Sequence, residues 1–89
     1  MKAIVSVIGK DKKGIIAKVS NVLYNFGANI LDISQTIMED EYFTMVMMIE
    51  LAENSGIESI NKELSPLSKE LGVEIRIQHE DIFNSMHRI

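Results

Sequence analysis

The segment Gly9-Lys10-Asp11-Lys12-Lys13-Gly14 is a polar loop bounded by two glycines, and it runs straight into an apolar stretch with helical spacing that begins at Ile15. A helix starting there presents unpaired backbone N–H groups and about half a positive charge to the loop. That end is a cradle for a carboxylate. Gly14 has no Cβ, so a ligand or a facing backbone can come close. Asp11 can pair with an ammonium group, and Asn29 offers both a donor and an acceptor. Together these groups suit a zwitterion. Each also has a plain structural reading. Asp11 serves equally as a helix N-cap, Gly14 as relief of crowding where the helix crosses a sheet, and Asn29 as the end of the turn after Gly27. Lys10, Lys12 and Lys13 read as a solvated loop able to steer an anion.

Other reactive residues offer less. The chain has no cysteine, which excludes disulfides, thiol nucleophiles and Cys-ligated zinc. His79 and His87 lack a standard ligand spacing and read as solvated, with no metal. Glu39-Asp40-Glu41 reads as a solvated turn. Arg76 and Arg88 are the only arginines, and neither lies in the first loop, where a phosphate-binding enzyme of similar topology would need one. Aromatics are too few in the central strands to stack bases. No nucleophile–base pair is apparent, so the chain reads as a non-enzyme. Gln35 shares a strand side with Leu31, Ile33 and Ile37 and therefore needs a polar partner, either backbone at an interface or a ligand.

The elements that must position these residues follow from periodicity. Ala3 to Ile8 is β-branched and apolar on both faces, a central buried strand. Ile15, Val19, Val22, Leu23 and Phe26 form one helical stripe, ended by Gly27 in a left-handed C′ position. Ile30 to Met38 alternates, with Leu31, Ile33 and Ile37 opposite Asp32, Ser34 and Thr36. Tyr42 to Leu51 completes a hairpin. Asn54 or Ser55 starts the next helix, Ser55 with Glu58 fits a capping box, and Ile57, Ile60, Leu64, Leu67 and Leu71 make the second stripe. Pro66 is expected to kink or split that helix, with Ser65 capping the second piece. Val73, Ile75 and Ile77 alternate as a last strand, and 80–89 reads as a short amphipathic tail helix. The order β-α-β-β-α-β predicts an α+β, ferredoxin-like sandwich: a four-stranded antiparallel sheet with two helices on one face, plus a short C-terminal helix.

The bulk numbers agree. The 89 residues are 46% hydrophobic and 25% charged, enough for one domain over 1–89 with a modest core. A net charge of −4 argues against nucleic acid. No signal peptide or membrane-length apolar run is visible, which gives a cytoplasmic expectation by default. Val46 and Met48, on the strand face opposite the helices, and Ile82, Phe83, Met86 and Ile89 in the tail add apolar surface that either a homodimer buries or the tail helix covers by folding back over its own sheet.

Val7-Ile8-Gly9-Lys10-Asp11-Lys12-Lys13-Gly14-Ile15, Phe26-Gly27-Ala28-Asn29-Ile30 and Asp32-Ile33-Ser34-Gln35-Thr36, at this spacing and with the short tail, resemble the ACT domain family across essentially the whole chain. The likeness is greatest to free-standing single-ACT proteins of bacteria and archaea, which are similar to the ACT domains of the glycine cleavage repressor group. The resemblance implies an amino acid or other small effector bound between the first loop and helix of one subunit and the second-strand region of a neighbour. Carried over by position, the ligand-binding candidates are Asp11, Gly14 and Asn29, with the backbone of Lys12, Lys13 and Ile15. Lys13 stands where many ACT domains have proline. The resemblance implies no cofactor; the expected partners are a second copy, the effector and a regulated protein. Some ACT domains serve only as ligand-free dimerisation modules, which is the alternative reading.

Overall fold

A computed structural model describes residues 1–10, 13–39, 41–52 and 56–82. Six elements follow one another: β1 (Lys2–Lys10), α1 (Ile15–Asn25), β2 (Asn29–Met38), β3 (Tyr42–Glu50), α2 (Ile57–Leu71) and β4 (Val73–His79). The four strands form one antiparallel sheet in the order β2-β3-β1-β4, the split βαβ arrangement that the sequence predicts. Helical residues resume at 80–82, and the rest of the expected tail helix, 83–89, lies outside the described residues.

Strand periodicity assigns the two faces. Val5, Val7 and Ala3 on β1 lie opposite Met47, Met45 and Ile49 on β3 and Ile77, Ile75 and His79 on β4. Apart from His79, and with Ile75 only partly buried, this row forms the core with Ile15, Val19 and Leu23 of α1 and Ile60, Leu64 and Leu71 of α2. Among the described residues no polar or charged residue is buried in it. On the opposite face Ile4 is also buried, Val46 and Met48 are half-buried, and Ile8 is 55% exposed.

The helix ends account for the turn chemistry. Gly27 takes φ 73° after α1. Its N–H bonds to the Tyr24 carbonyl at 2.9 Å, and the Ala28 N–H bonds to that of Leu23 at 3.0 Å. These are the two bonds of a Schellman closure. Two expectations are corrected at the helix starts. The N-cap position of α1 falls on Gly14, not Asp11, and that of α2 falls on Gly56, one residue beyond Ser55. Asp11, Asn54 and Ser55 themselves lie outside the described residues.

Pro66 does not split α2, which runs unbroken from Ile57 to Leu71. Ser65 is therefore an interior helical residue rather than a cap. Pro66 is exposed, so the Lys62 carbonyl that loses its N–H partner can turn to water instead of being stranded in the core.

β2 also departs from simple alternation. Its pairing with β3 shifts between Ile30 and Asp32, so Leu31 is the extra residue of a bulge. Ile33, Gln35 and Ile37 face the helix side, opposite Met47, Met45 and Phe43, whereas Leu31 falls out of their register.

The tightest backbone approach is at Gly9. A Cβ there would sit 2.6 Å from Val73 Cγ1 and 2.9 Å from its Cα. Part of that contact is backbone, so it cannot be relieved by a rotamer change. Gly9→Ala is expected to destabilise the fold by about 1–3 kcal/mol, read as a lower urea midpoint with an unchanged slope. Leu23→Ala, which removes a fully buried side chain, is expected to cost about 2–5 kcal/mol.

Candidate ligand site at the start of α1

Three segments meet at one end of the sheet: the end of β1, the β2–β3 hairpin and the start of β4. Lys10 Nζ lies 3.4 Å from Glu41 Oε1 and ties the first loop to the hairpin. Both side chains are exposed, so the pair fixes direction more than it stabilises.

Gly14 opens α1 with φ 85° and ψ 3°. The first helical bond runs from the Lys18 N–H to the Gly14 carbonyl at 2.9 Å. Among the described residues no side chain caps this end, and the first turn holds no acidic residue. Among the described residues nothing compensates the orphan N–H groups and the positive end of the helix there. Nothing lies within 4 Å of where a Gly14 Cβ would sit. Crowding against the sheet is therefore not why glycine stands at this position; the left-handed backbone is the reason. The crowded glycine is Gly9, which the sequence did not single out, since a close approach between strands leaves no local signature.

The remaining candidates divide. Lys13 and Gly14 are exposed. Ile15 is buried as a whole residue, so its side chain does not meet a ligand. Asp11 and Lys12 lie outside the described residues. Asn29 is exposed and stands at the opposite end of the sheet, paired with Glu50. The eleven residues of α1 put about 16 Å between its two ends, so Gly14 and Asn29 of one chain do not meet on one small ligand. The turn after Gly27 is closed by backbone bonds alone, which leaves the Asn29 amide unused there.

Other groups find structural roles. The His79 Nδ1 accepts a hydrogen bond from the Asp81 N–H at 3.1 Å and so caps the helical residues at 80–82. His87 and the tail residues Phe83, Met86 and Ile89 lie outside the described residues. Among the described residues no cluster of three or more His, Cys, Asp or Glu could hold a metal. No described helix is long and apolar enough to cross a membrane. A shallow groove of about 260 Å3 between α1 and α2, lined by Val22, Asn25, Phe26 and Glu63, is a further concavity that periodicity did not reveal.

A ferredoxin-like sheet with a glycine-opened helix after its first strand defines a small α+β domain. The ACT domain family model matches residues 2–78, and the chain belongs to that family. It is 56% identical over 90 residues to a UPF0237 protein of Clostridium acetobutylicum, covering 100% of both chains. A UPF0237 protein of Methanocaldococcus jannaschii is 50% identical over 99% of this chain and 98% of that one. Among solved structures, an ACT domain protein from Streptococcus pneumoniae superposes with a TM-score of 0.81 at 43% identity, covering 93% of each chain. The regulatory subunit of aspartate kinase from Thermus thermophilus shares the fold, with a TM-score of 0.66 at 24% identity over 86% of this chain and 49% of that one.

Gly14→Ala tests the backbone reading. A Cβ in the left-handed region costs about 1–2 kcal/mol. At about 4–8 °C per kcal/mol for a domain of this size, the melting temperature is expected to fall by about 4–16 °C, and Gly14→Asn by less.

Proposed function

We propose that the chain is a regulatory domain that binds an amino acid, or a small effector of the same chemistry, at the interface of a homodimer. The observation that carries this reading is the open positive end of α1 behind a left-handed glycine. It suits an α-carboxylate, and the exposed backbone of Lys13 and Gly14 supplies donors beside that of Ile15, with Asp11 and Lys12 completing the loop.

A second copy resolves the separation of Gly14 from Asn29. Antiparallel pairing of β2 with the partner's β2 reverses the strand. The partner's Asn29 then comes to the end of the sheet where the first loop and the hairpin meet. Each of two equivalent sites would draw a loop from one copy and an amide from the other.

The β2 edge supports that partner. Natural edge strands are blunted by charge, proline or brevity. β2 is ten residues long, and Asp32 is its only charge. Ile30, Leu31, Ile33, Ile37 and Met38 are 39–52% exposed along it.

In this reading residues 1–89 act as one non-catalytic domain in the cytoplasm and pass the bound state to a protein partner. The same exposed edge favours a second reading, a dimerisation module that needs no ligand.

Thermal-shift screening with the twenty amino acids separates the two. A true effector at about 100 times its dissociation constant adds about 2.7 kcal/mol, a rise of about 10 °C or more in a domain of this size. Asn29→Ala is expected to lower that response without lowering the unliganded melting temperature. A wild-type chain that shifts with no amino acid would leave only the module.

A further inference from the structure

β2 carries a second message in the order of its residues. Ile33-Ser34-Gln35-Thr36-Ile37 reads chemically the same in both directions: isoleucine, hydroxyl, amide, hydroxyl, isoleucine. A strand that pairs with its own copy in antiparallel fashion needs such symmetry. The bulge ends the regular pairing at Asp32, and the strand ends at Met38. The regular stretch from 32 to 38 is therefore also centred on Gln35. Sequence symmetry and backbone regularity coincide on one residue.

Resting on the homodimer reading above, we propose that Gln35 sets the register of a β2–β2 pair, with its amide meeting the partner's Gln35 on the two-fold axis. Opposite residues of an antiparallel pair share a face. A self-paired strand that keeps both helix layers on one side must then bring one residue against its own copy. The choice of that residue fixes every other pair.

Centring on Asp32 opposes two carboxylates. Centring on Ile33 sets Gln35 against the partner's Leu31 and Ile37 against the partner's Asn29. Centring on Ser34 or Thr36 sets Gln35 against an isoleucine. Only centring on Gln35 places amide on amide, Ile33 on the partner's Ile37 and Ser34 on the partner's Thr36. Cross-strand pairs of matched chemistry stabilise a sheet, and polar–apolar mismatches do not.

The cost of a wrong register falls on Gln35. It stands on the helix side, opposite Met45, between Ile33 and Ile37. In a dimer centred on Ile33, Ser34 or Thr36 its amide would be covered by an aliphatic neighbour and lose its hydrogen bonds to water. Reciprocal amide bonds on the axis avoid this. A single polar residue in an apolar seam specifies register in the same way in coiled coils.

The chain has no cysteine, so site-specific cross-linking is clean. Facing Cα atoms in such a pair are about 4.5–5.5 Å apart, within disulfide reach. Under oxidised glutathione, Gln35→Cys is expected to give a covalent dimer. An equimolar mixture of Ile33→Cys and Ile37→Cys should give the mixed species, while Ser34→Cys and Ile33→Cys alone stay uncrosslinked. Gln35→Glu sets two carboxylates face to face and is expected to weaken the dimer at least about tenfold at pH 7, with recovery near pH 4 as they protonate.

Wild-type protein that sediments as a monomer at micromolar concentration would overturn the dimer reading itself. A wild-type dimer in which Gln35→Cys does not cross-link, or in which Ser34→Cys or Ile33→Cys cross-links alone, would overturn the Gln35 register and leave the dimer standing.

Discussion

Across a single strand spacing of about 4.8 Å, this sheet passes from a fully covered strand to an uncovered one. β3 buries Phe43, Met45, Met47 and Ile49 beneath the helices, and every residue of its neighbour β2 is exposed. The core takes its helix contacts over β1, β3 and β4. That boundary leaves the chain with a complete core and an incomplete surface. In the proposed dimer the helix-side row of β2 is where a second chain would add apolar contacts without disturbing the first.

The same topology explains why the candidate binding groups lie apart. α1 runs back along the sheet from the first loop, so whatever precedes it and whatever follows it stand at opposite ends. Gly14 is at one end and Asn29 at the other. A site made of both is natural in a two-fold assembly and impossible in one copy. The electrostatics of the loop end are similarly one-sided: the N-terminus of α1 lacks an acidic residue in its first turn, while the nearby Lys10–Glu41 pair is solvent-screened and contributes little.

Much of the architecture was legible from residue order because its signals are local. The stripe of Ile15, Val19 and Leu23 is a helix whose burial the structure bears out, and Gly27 closes it in the expected left-handed turn. Pro66 was misleading because its cost depends on where the orphaned carbonyl points, and an exposed position relieves it. Asp11 looked like a cap, yet Gly14, three residues on, occupies the cap position. Propensity names a capping residue, but backbone geometry chooses the position. The bulge at Leu31 was hidden because strict alternation is the simplest reading of a mixed apolar run, and only pairing with β3 exposes the extra residue.

Sequence alone determined the element order, the covered faces of both helices and the kind of chemistry the first loop can offer. Each depends on residues close together in the chain, whose spacing carries the information. Tertiary structure decided what Gly14 is for, that Gly9 is the crowded glycine, that Asn29 lies at the far end from the loop, and that β2 stands uncovered. Those facts depend on which strands become neighbours and on how far the helix layer reaches, and residues distant in sequence settle both together.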